Sequence, residues 1–287
     1  MRGASSLAGL LLPAILAACG GGGGPEAPAS VPVALGDHAV TDKRTLLYGY
    51  YGTCPTCQAE VRDHVNFVHV LTTDNLTETV RQLTEARQSG LANVVLGVQQ
   101  VYYSADPEAT ARALFTTLSG ANVLDHIVAL YPRDEPDLAG DSDEKVTAMN
   151  LTLRRVMAEF PALRDTRLAV IYSGRQTWPG LATYDWVGFD DYNAREGIFV
   201  DGLYTDLKLR LRPDQGIILV PGGADPWRQD PQPFLDAARS DPQVVAIMPF
   251  IWFDYAAPDV GKGIRSNGMR GAYCQAGKSI TGMAGAC

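Results

Sequence analysis

The segment Tyr131-Pro132-Arg133-Asp134-Glu135-Pro136 sets two adjacent carboxyl groups directly after the apolar run Ile127-Val128-Ala129-Leu130. A second acidic group, Asp190-Asp191-Tyr192-Asn193, follows another apolar run, and Asp225 and Trp227 follow a third. Carboxyl groups brought together from separate strand ends can divide proton donation and proton acceptance between them, provided their surroundings push their pKa values apart. Glu135 is the candidate proton donor. Asp190 or Asp191 is the candidate second carboxylate, as nucleophile, base or stabiliser, with Asp225 in reserve. Tyr50, Gln99, Tyr131, Asp134, Tyr192, Asn193, Asp225, Trp227 and Trp252 fall at similar places and are candidate binding residues. Such rings can stack on the apolar face of a sugar, while carboxylates, amides and phenols bond its hydroxyls. A neutral carbohydrate suits this mixture better than a nucleotide or a lipid.

What must position these residues is a set of eight strand-like runs: 46–51, 65–71, 93–98, 127–131, 168–172, 186–190, 216–220 and 244–250. They are nearly continuous in Val, Ile and Leu, as expected of parallel strands covered on both faces. Helical patterns lie between them. Leu76 to Ser89 ends before Gly90, a plausible C′ glycine. Pro107 to Leu118 follows Asp106, a good N-cap with proline at the first helical position. Ser142 to Phe160 opens on acidic residues, and Pro231 to Ala238 precedes the eighth run. Strands alternating with helices predict an α/β fold, a (β/α)₈ TIM barrel, whose strand ends converge on one mouth. The first connection and the fifth, Ser173 to Thr183, are short, so the barrel is expected to be somewhat irregular. A doubly wound open sheet lacks support, because no Gly-rich phosphate loop follows the first run.

The N-terminus reads as a targeting segment, residues 1–18, to be set aside from the fold. Arg2 precedes an apolar stretch, Leu7 to Leu16, that is too short for an ordinary membrane span. Leu16-Ala17-Ala18-Cys19 resembles the bacterial lipobox, which implies cleavage before Cys19, acylation of that cysteine and a place in the bacterial cell envelope. Gly20 rather than Asp follows, which favours the outer membrane where there are two. Residues 19–44 then form the lipidated cysteine and a tether, flexible through its Gly, Pro and Ala content, and residues 45–287 a single domain. Cys54, Cys57, Cys274 and Cys287 remain, and three pairings are possible. The local pairs Cys54–Cys57 and Cys274–Cys287 are the simplest. Disulfides would fit an exported protein.

Net charge is −8 with no Lys/Arg run, which argues against nucleic acid as a partner. The four histidines form no zinc-hydrolase pattern, and His69 reads as a satisfied core histidine. No Gly-x-Ser-x-Gly elbow occurs. Cys54-Pro55-Thr56-Cys57 has thioredoxin spacing without a thioredoxin context. The expectation is a monomer that binds a carbohydrate, with no cofactor and no metal ion.

Asp134-Glu135-Pro136 after the fourth run resembles the Asn-Glu-Pro of the large retaining clan of (β/α)₈ glycoside hydrolases. That resemblance implies the barrel and Glu135 as acid/base. This chain has Asp where the clan has Asn, and Val220 to Asp225 after the seventh run contains no glutamate to match the clan's nucleophile. Asp191-Tyr192 and Trp252 are loosely similar to the sixth- and eighth-strand residues of chitinase-type enzymes. The resemblance implies an exported, lipid-anchored glycoside hydrolase. The alternative is a non-catalytic surface protein that binds glycans on the same barrel.

Overall fold

The structure, a computed structural model, describes residues 45–52, 54, 56–72, 75–91, 93–174, 177–192, 199, 202–254 and 261–287. Residues 1–44, which include the expected targeting segment, Cys19 and the expected tether, lie outside the described residues, as does Asn193. Eight strands are present: β1 (Leu47–Tyr48), β2 (Phe67–Leu71), β3 (Asn93–Gly97), β4 (Ile127–Tyr131), β5 (Arg167–Tyr172), β6 (Trp186–Phe189), β7 (Gly216–Leu219) and β8 (Val244–Ile247). All pairings are parallel, in the order β1-β8-β7-β6-β5-β4-β3-β2. This is a (β/α)₈ barrel, nearly closed.

The helices are α1 (Gln58–Val61), α2 (Leu76–Gln88), α3 (Gln99–Tyr103), α4 (Pro107–Gly120), α5 (Asp143–Met157), α6 (Leu203–Arg210), α7 (Gln232–Ser240) and α8 (Arg270–Thr281). Local chemistry sets three of their starts. Asn75, Asp106 and Ser142 each accept a hydrogen bond from the backbone N–H three residues on, satisfying a donor that the helix cannot. Among the described residues, the β5–β6 connection holds only a short 3₁₀ turn at Leu181–Thr183, and α1 is a single turn. The irregularity therefore falls in the two connections that are short in sequence. No helix among the described residues is long and apolar enough to cross a membrane.

Alternation along the strands divides the apolar side chains into two layers. Leu47, Phe67, Val95, Ala129, Tyr131, Ala169, Ile171, Ile218 and Val220 fill the barrel interior. Tyr48, Tyr50, Val68, Val70, Leu96, Leu130, Val170, Tyr172 and Leu219 face outward and pack with α2, α4 and α5 residues such as Leu83, Phe115 and Leu153.

No strand ladder joins β1 to β2. Asn66 closes that seam instead. Its backbone N–H donates to the Tyr48 carbonyl at 3.0 Å. Its side-chain oxygen accepts from the Tyr48 N–H at 2.8 Å, and its amide donates to the Leu46 carbonyl at 3.0 Å. Gly49 permits the approach, because a Cβ there would lie 2.4 Å from the Phe67 carbonyl oxygen.

Two disulfides are present, Cys54–Cys57 and Cys274–Cys287, with Cα separations of 5.1 and 5.8 Å. The second ties the C-terminal tail to α8. The buried Lys278 ammonium holds the same tail by donating to the Ala286 carbonyl at 2.8 Å.

Candidate active site

The C-terminal strand ends enclose a cavity of about 780 Å³, within the range usual for small-molecule sites. Asp134 and Glu135 enter it from the β4 end, Asp190 and Tyr192 from the β6 end, Trp227 from beyond β7 and Phe250 from beyond β8.

Glu135 is fixed through its backbone. Asp134 makes an isolated parallel bridge to Ile171 on β5, and the Glu135 N–H donates to the Ile171 carbonyl at 3.0 Å. Two residues on, the Asp137 carboxylate accepts from the Ser173 N–H at 3.0 Å and from its hydroxyl at 2.9 Å. This clamp holds Glu135 at φ +42°, a left-handed conformation unusual for a residue with a side chain. Such a conformation costs about 1–3 kcal/mol and persists where surrounding bonds over-determine it, as they often do at functional sites.

Asp190 follows β6, and its N–H donates to the Tyr172 carbonyl at 3.0 Å. Its carboxyl is pushed up to about 8, first by burial and then by the negative charge of Glu135, with a smaller contribution from Asp134. The Tyr192 hydroxyl bonds the Asp190 carboxylate and offsets part of this rise. Two like charges facing one low-dielectric cavity cannot both ionise freely, so the pair retains a proton near neutrality.

Beneath them runs a chain of polar rings. The Tyr131 hydroxyl donates to Asp134 Oδ1 at 2.5 Å and lies 3.4 Å from the Tyr51 hydroxyl. His69 bonds the Tyr51 carbonyl through Nδ1. Burial holds the imidazole below its usual range, so it is neutral and Nε2 is an acceptor. That Nε2 is buried with no partner among the described residues. His69 is thus only half satisfied, and it lines the cavity, which corrects its reading as a satisfied core histidine. Opposite, Tyr192 stacks on Phe250 with centroids 5.5 Å apart and planes at 21°, and Trp227 lies 4.7 Å from Tyr192.

Of the residues read as site candidates, Glu135, Asp134, Asp190, Tyr192, Gln99 and Trp227 line this cavity. Tyr131 lies below it, buried, in contact with Asp134. Others are placed elsewhere. Tyr50 is fully buried in the outer layer, bonded to His64 Nε2 at 2.9 Å, and Tyr51 takes the inward position. The reason is parity: Tyr50 shares the outward face of Tyr48. Trp252 is also fully buried outside the cavity, 4.8 Å from the Tyr50 ring, and its indole N–H donates to Glu60 at 2.9 Å. Asp191 does not line the cavity, and its carbonyl accepts from Gln229 at 2.9 Å. Asp225 is likewise outside the lining, paired with Arg228, which holds its carboxyl below the usual range. Sequence reading missed Phe250 and the cavity-facing role of His69. Both continue the inward parity of their strands, which was the available signal. Cys54 of the first disulfide also borders the cavity. Among the described residues, no group of three or more His, Cys, Asp or Glu is placed to hold a metal ion.

Comparison of the sequence with protein-family models and with curated proteins gives no match. The fold does have similar solved structures. A GH2 β-galacturonidase from Eisenbergiella tayi, bound to galacturonate, aligns with a TM-score of 0.58 at 12% identity, over 85% of this chain and 53% of that one. A β-glucuronidase from Faecalibacterium prausnitzii aligns at 0.55 and 12%, over 85% and 50%. A β-1,3-glucanosyltransferase of Rhizomucor miehei, an active-site mutant in complex with laminaritriose, aligns at 0.52 and 15%, over 76% and 92%. This chain spans about half the length of the first two. The architecture is therefore the (β/α)₈ barrel found in glycoside hydrolases.

Proposed function

We propose that this protein is a glycoside hydrolase in which Glu135 and Asp190 form the catalytic carboxyl pair. The observation that carries the reading is the joint exposure of Glu135 and Asp190 to one cavity, with the charge of Glu135 raising the Asp190 carboxyl to about 8. Glycosidic cleavage needs one carboxyl to protonate the leaving oxygen and another to face the anomeric carbon, as nucleophile or through a water. The singly protonated pair supplies both. In the free protein the proton of the pair rests on Asp190 and Glu135 is ionised, so Asp190 is assigned the donor role and Glu135 the ionised one, the reverse of the roles read from the sequence. The Tyr192–Phe250–Trp227 wall offers rings for the sugar face, and Gln99 and Asp134 offer polar groups for its hydroxyls. Two of the similar solved structures carry carbohydrate ligands, galacturonate and laminaritriose, which is consistent with a sugar ligand here. We further propose export and anchoring through acylated Cys19 in the cell envelope, supported by the Leu16-Ala17-Ala18-Cys19 sequence and by two disulfides suited to an oxidising compartment.

The test is turnover of a panel of glycosides by residues 31–287, beside Glu135→Gln and Asp190→Asn. Loss of the donor should fall hardest on substrates with poor leaving groups and least on aryl glycosides with good ones. Loss of the second carboxylate should fall on both alike. Parent-like turnover by either variant sinks the pair. One observation favours a second reading, a glycan-binding protein without catalysis: among the described residues, no carboxyl from the β7 end lines the cavity. Binding of a glycan by the parent with no cleavage on any substrate would establish that reading instead.

A further inference from the structure

A second groove, of about 720 Å³, lies beside the central cavity, and Gln99 lines both. The groove borders α3 and the facing parts of α2 and α4, where Leu76, Gln100, Tyr103, Ser104 and Thr110 contribute its walls. None of its described lining residues is charged. Tyr103 ends the five-residue α3 and is 63% exposed, a large ring left to solvent. Its orientation is nevertheless fixed. Its hydroxyl accepts a bond from Arg133, whose guanidinium carbon lies 5.3 Å from the ring centre. Arg133 is itself mostly covered and donates to Asp141 at 2.7 Å. The edge of Tyr102 braces the same ring at 5.6 Å and 83°. Beside this platform, Gln100 accepts from the Thr72 hydroxyl through its side-chain oxygen. Its amide nitrogen is buried with no partner among the described residues. Buried donors are rarely left unpaired, and each exception calls for an explanation.

We propose that this groove is a second sugar-binding subsite, so that the protein takes a chain of uncharged sugars rather than a single one. The chain would run from the central cavity across Gln99 and lay one ring on Tyr103, with a sugar hydroxyl meeting the unpaired amide of Gln100. The cation at the platform, Arg133, is already paired with Asp141, and the described lining offers a carboxylated sugar no other, so neutral units are the class selected. Arg133 immediately precedes Asp134 and Glu135, so the residue that orients the platform and these two carboxyl groups leave one strand end together. The inference rests on the glycoside reading proposed above.

The experiment uses laminari-, cello-, manno- and malto-oligosaccharides of two to six sugars, with the matching p-nitrophenyl monoglycosides. Both kcat/KM and calorimetric affinity are measured. In the parent, the preferred series should improve with chain length. Tyr103→Ala should reduce activity or affinity on the longer members by roughly three- to tenfold, the weight of one aromatic contact. The monoglycoside should stay within about twofold, and thermal melting should be unchanged for a ring this exposed. Tyr103→Phe keeps the ring and should keep the preference for length. Gln100→Leu removes the unpaired donor and should also weaken only the longer members. A parent indifferent to length, or a Tyr103→Ala loss equal on monoglycoside and hexamer, overturns the subsite while leaving the glycoside reading intact. A parent that neither cleaves nor binds any of these sugars refutes the glycoside reading, and the subsite with it.

Discussion

The hydroxyl of Tyr131, the last residue of β4, donates to Asp134 Oδ1 at 2.5 Å, in the loop that carries Glu135. The bond returns the loop to the strand it has just left. It also neutralises part of a carboxylate that would otherwise add its charge to the Glu135–Asp190 pair.

Tyr131→Phe deletes that hydroxyl and keeps the ring. A hydrogen bond to a charged group is worth about 1.5–3 kcal/mol, so kcat/KM on the best glycoside should fall by roughly tenfold or more. Denaturant melts should show a smaller loss of stability, because Asp134 borders the cavity and can reach water. Unchanged kinetics would remove Tyr131 and Asp134 from the mechanism.

The pH profile follows from the pair. The working form holds one proton, and the Asp190 carboxyl sits at about 8. Activity should therefore decline as pH rises through that value and the last proton leaves. A profile of kcat/KM against pH would show this alkaline limb. A flat profile from pH 6 to pH 10 would contradict the shared proton.

Stability should fall over the same pH range. The folded-state pKa of Asp190 is raised above that of an ordinary carboxyl, so the folded protein binds this proton more tightly than the unfolded chain does. Its favourable contribution is complete below about pH 4 and is lost as pH rises through about 8. Asp190→Asn removes the ionisation. It should stabilise the fold by ~1–3 kcal/mol at pH 9, a buried-charge penalty discounted for partial exposure. It should change little at pH 3.5. Urea melts at the two pH values check the sign.

The cysteines give two further tests. Replacing both Cys274 and Cys287 by Ser should lower stability by about 2–4 kcal/mol, the usual effect of opening such a loop, read as a shift in the urea midpoint. Cys19→Ser should move the full chain from the membrane fraction to the soluble exported fraction. Continued membrane retention would reject acylation at Cys19.

Strand count, strand order and the β4 acidic pair were legible because continuous Val/Ile/Leu runs and turn chemistry are local signals. The side of each strand end was not. Both faces of a barrel strand are apolar, so composition does not say which residue points inward. Tyr50 and Tyr51 differ only in parity, and it is Tyr51 that lines the cavity. Asp190 and Asp191 likewise differ by one position, and only Asp190 lines the cavity. Trp252 lies past the end of β8, where alternation no longer guides placement, and it turns outward to pack at a tilt against Tyr50. His69 was hidden because a polar residue inside an apolar run reads as core, whichever layer it joins.

The seam at Asn66 has a consequence for solubility. A complete ring has no free strand edge, which is how barrels avoid pairing with other chains. Here the two outermost strands of the sheet meet without a ladder, and Asn66, with His69 on the Tyr51 carbonyl, covers their backbone groups. Shortening Asn66 to alanine would uncover matching parallel edges on β1 and β2 in every copy. The resulting defect would be intermolecular: growth of aggregates with concentration, from a chain whose core packing is otherwise intact.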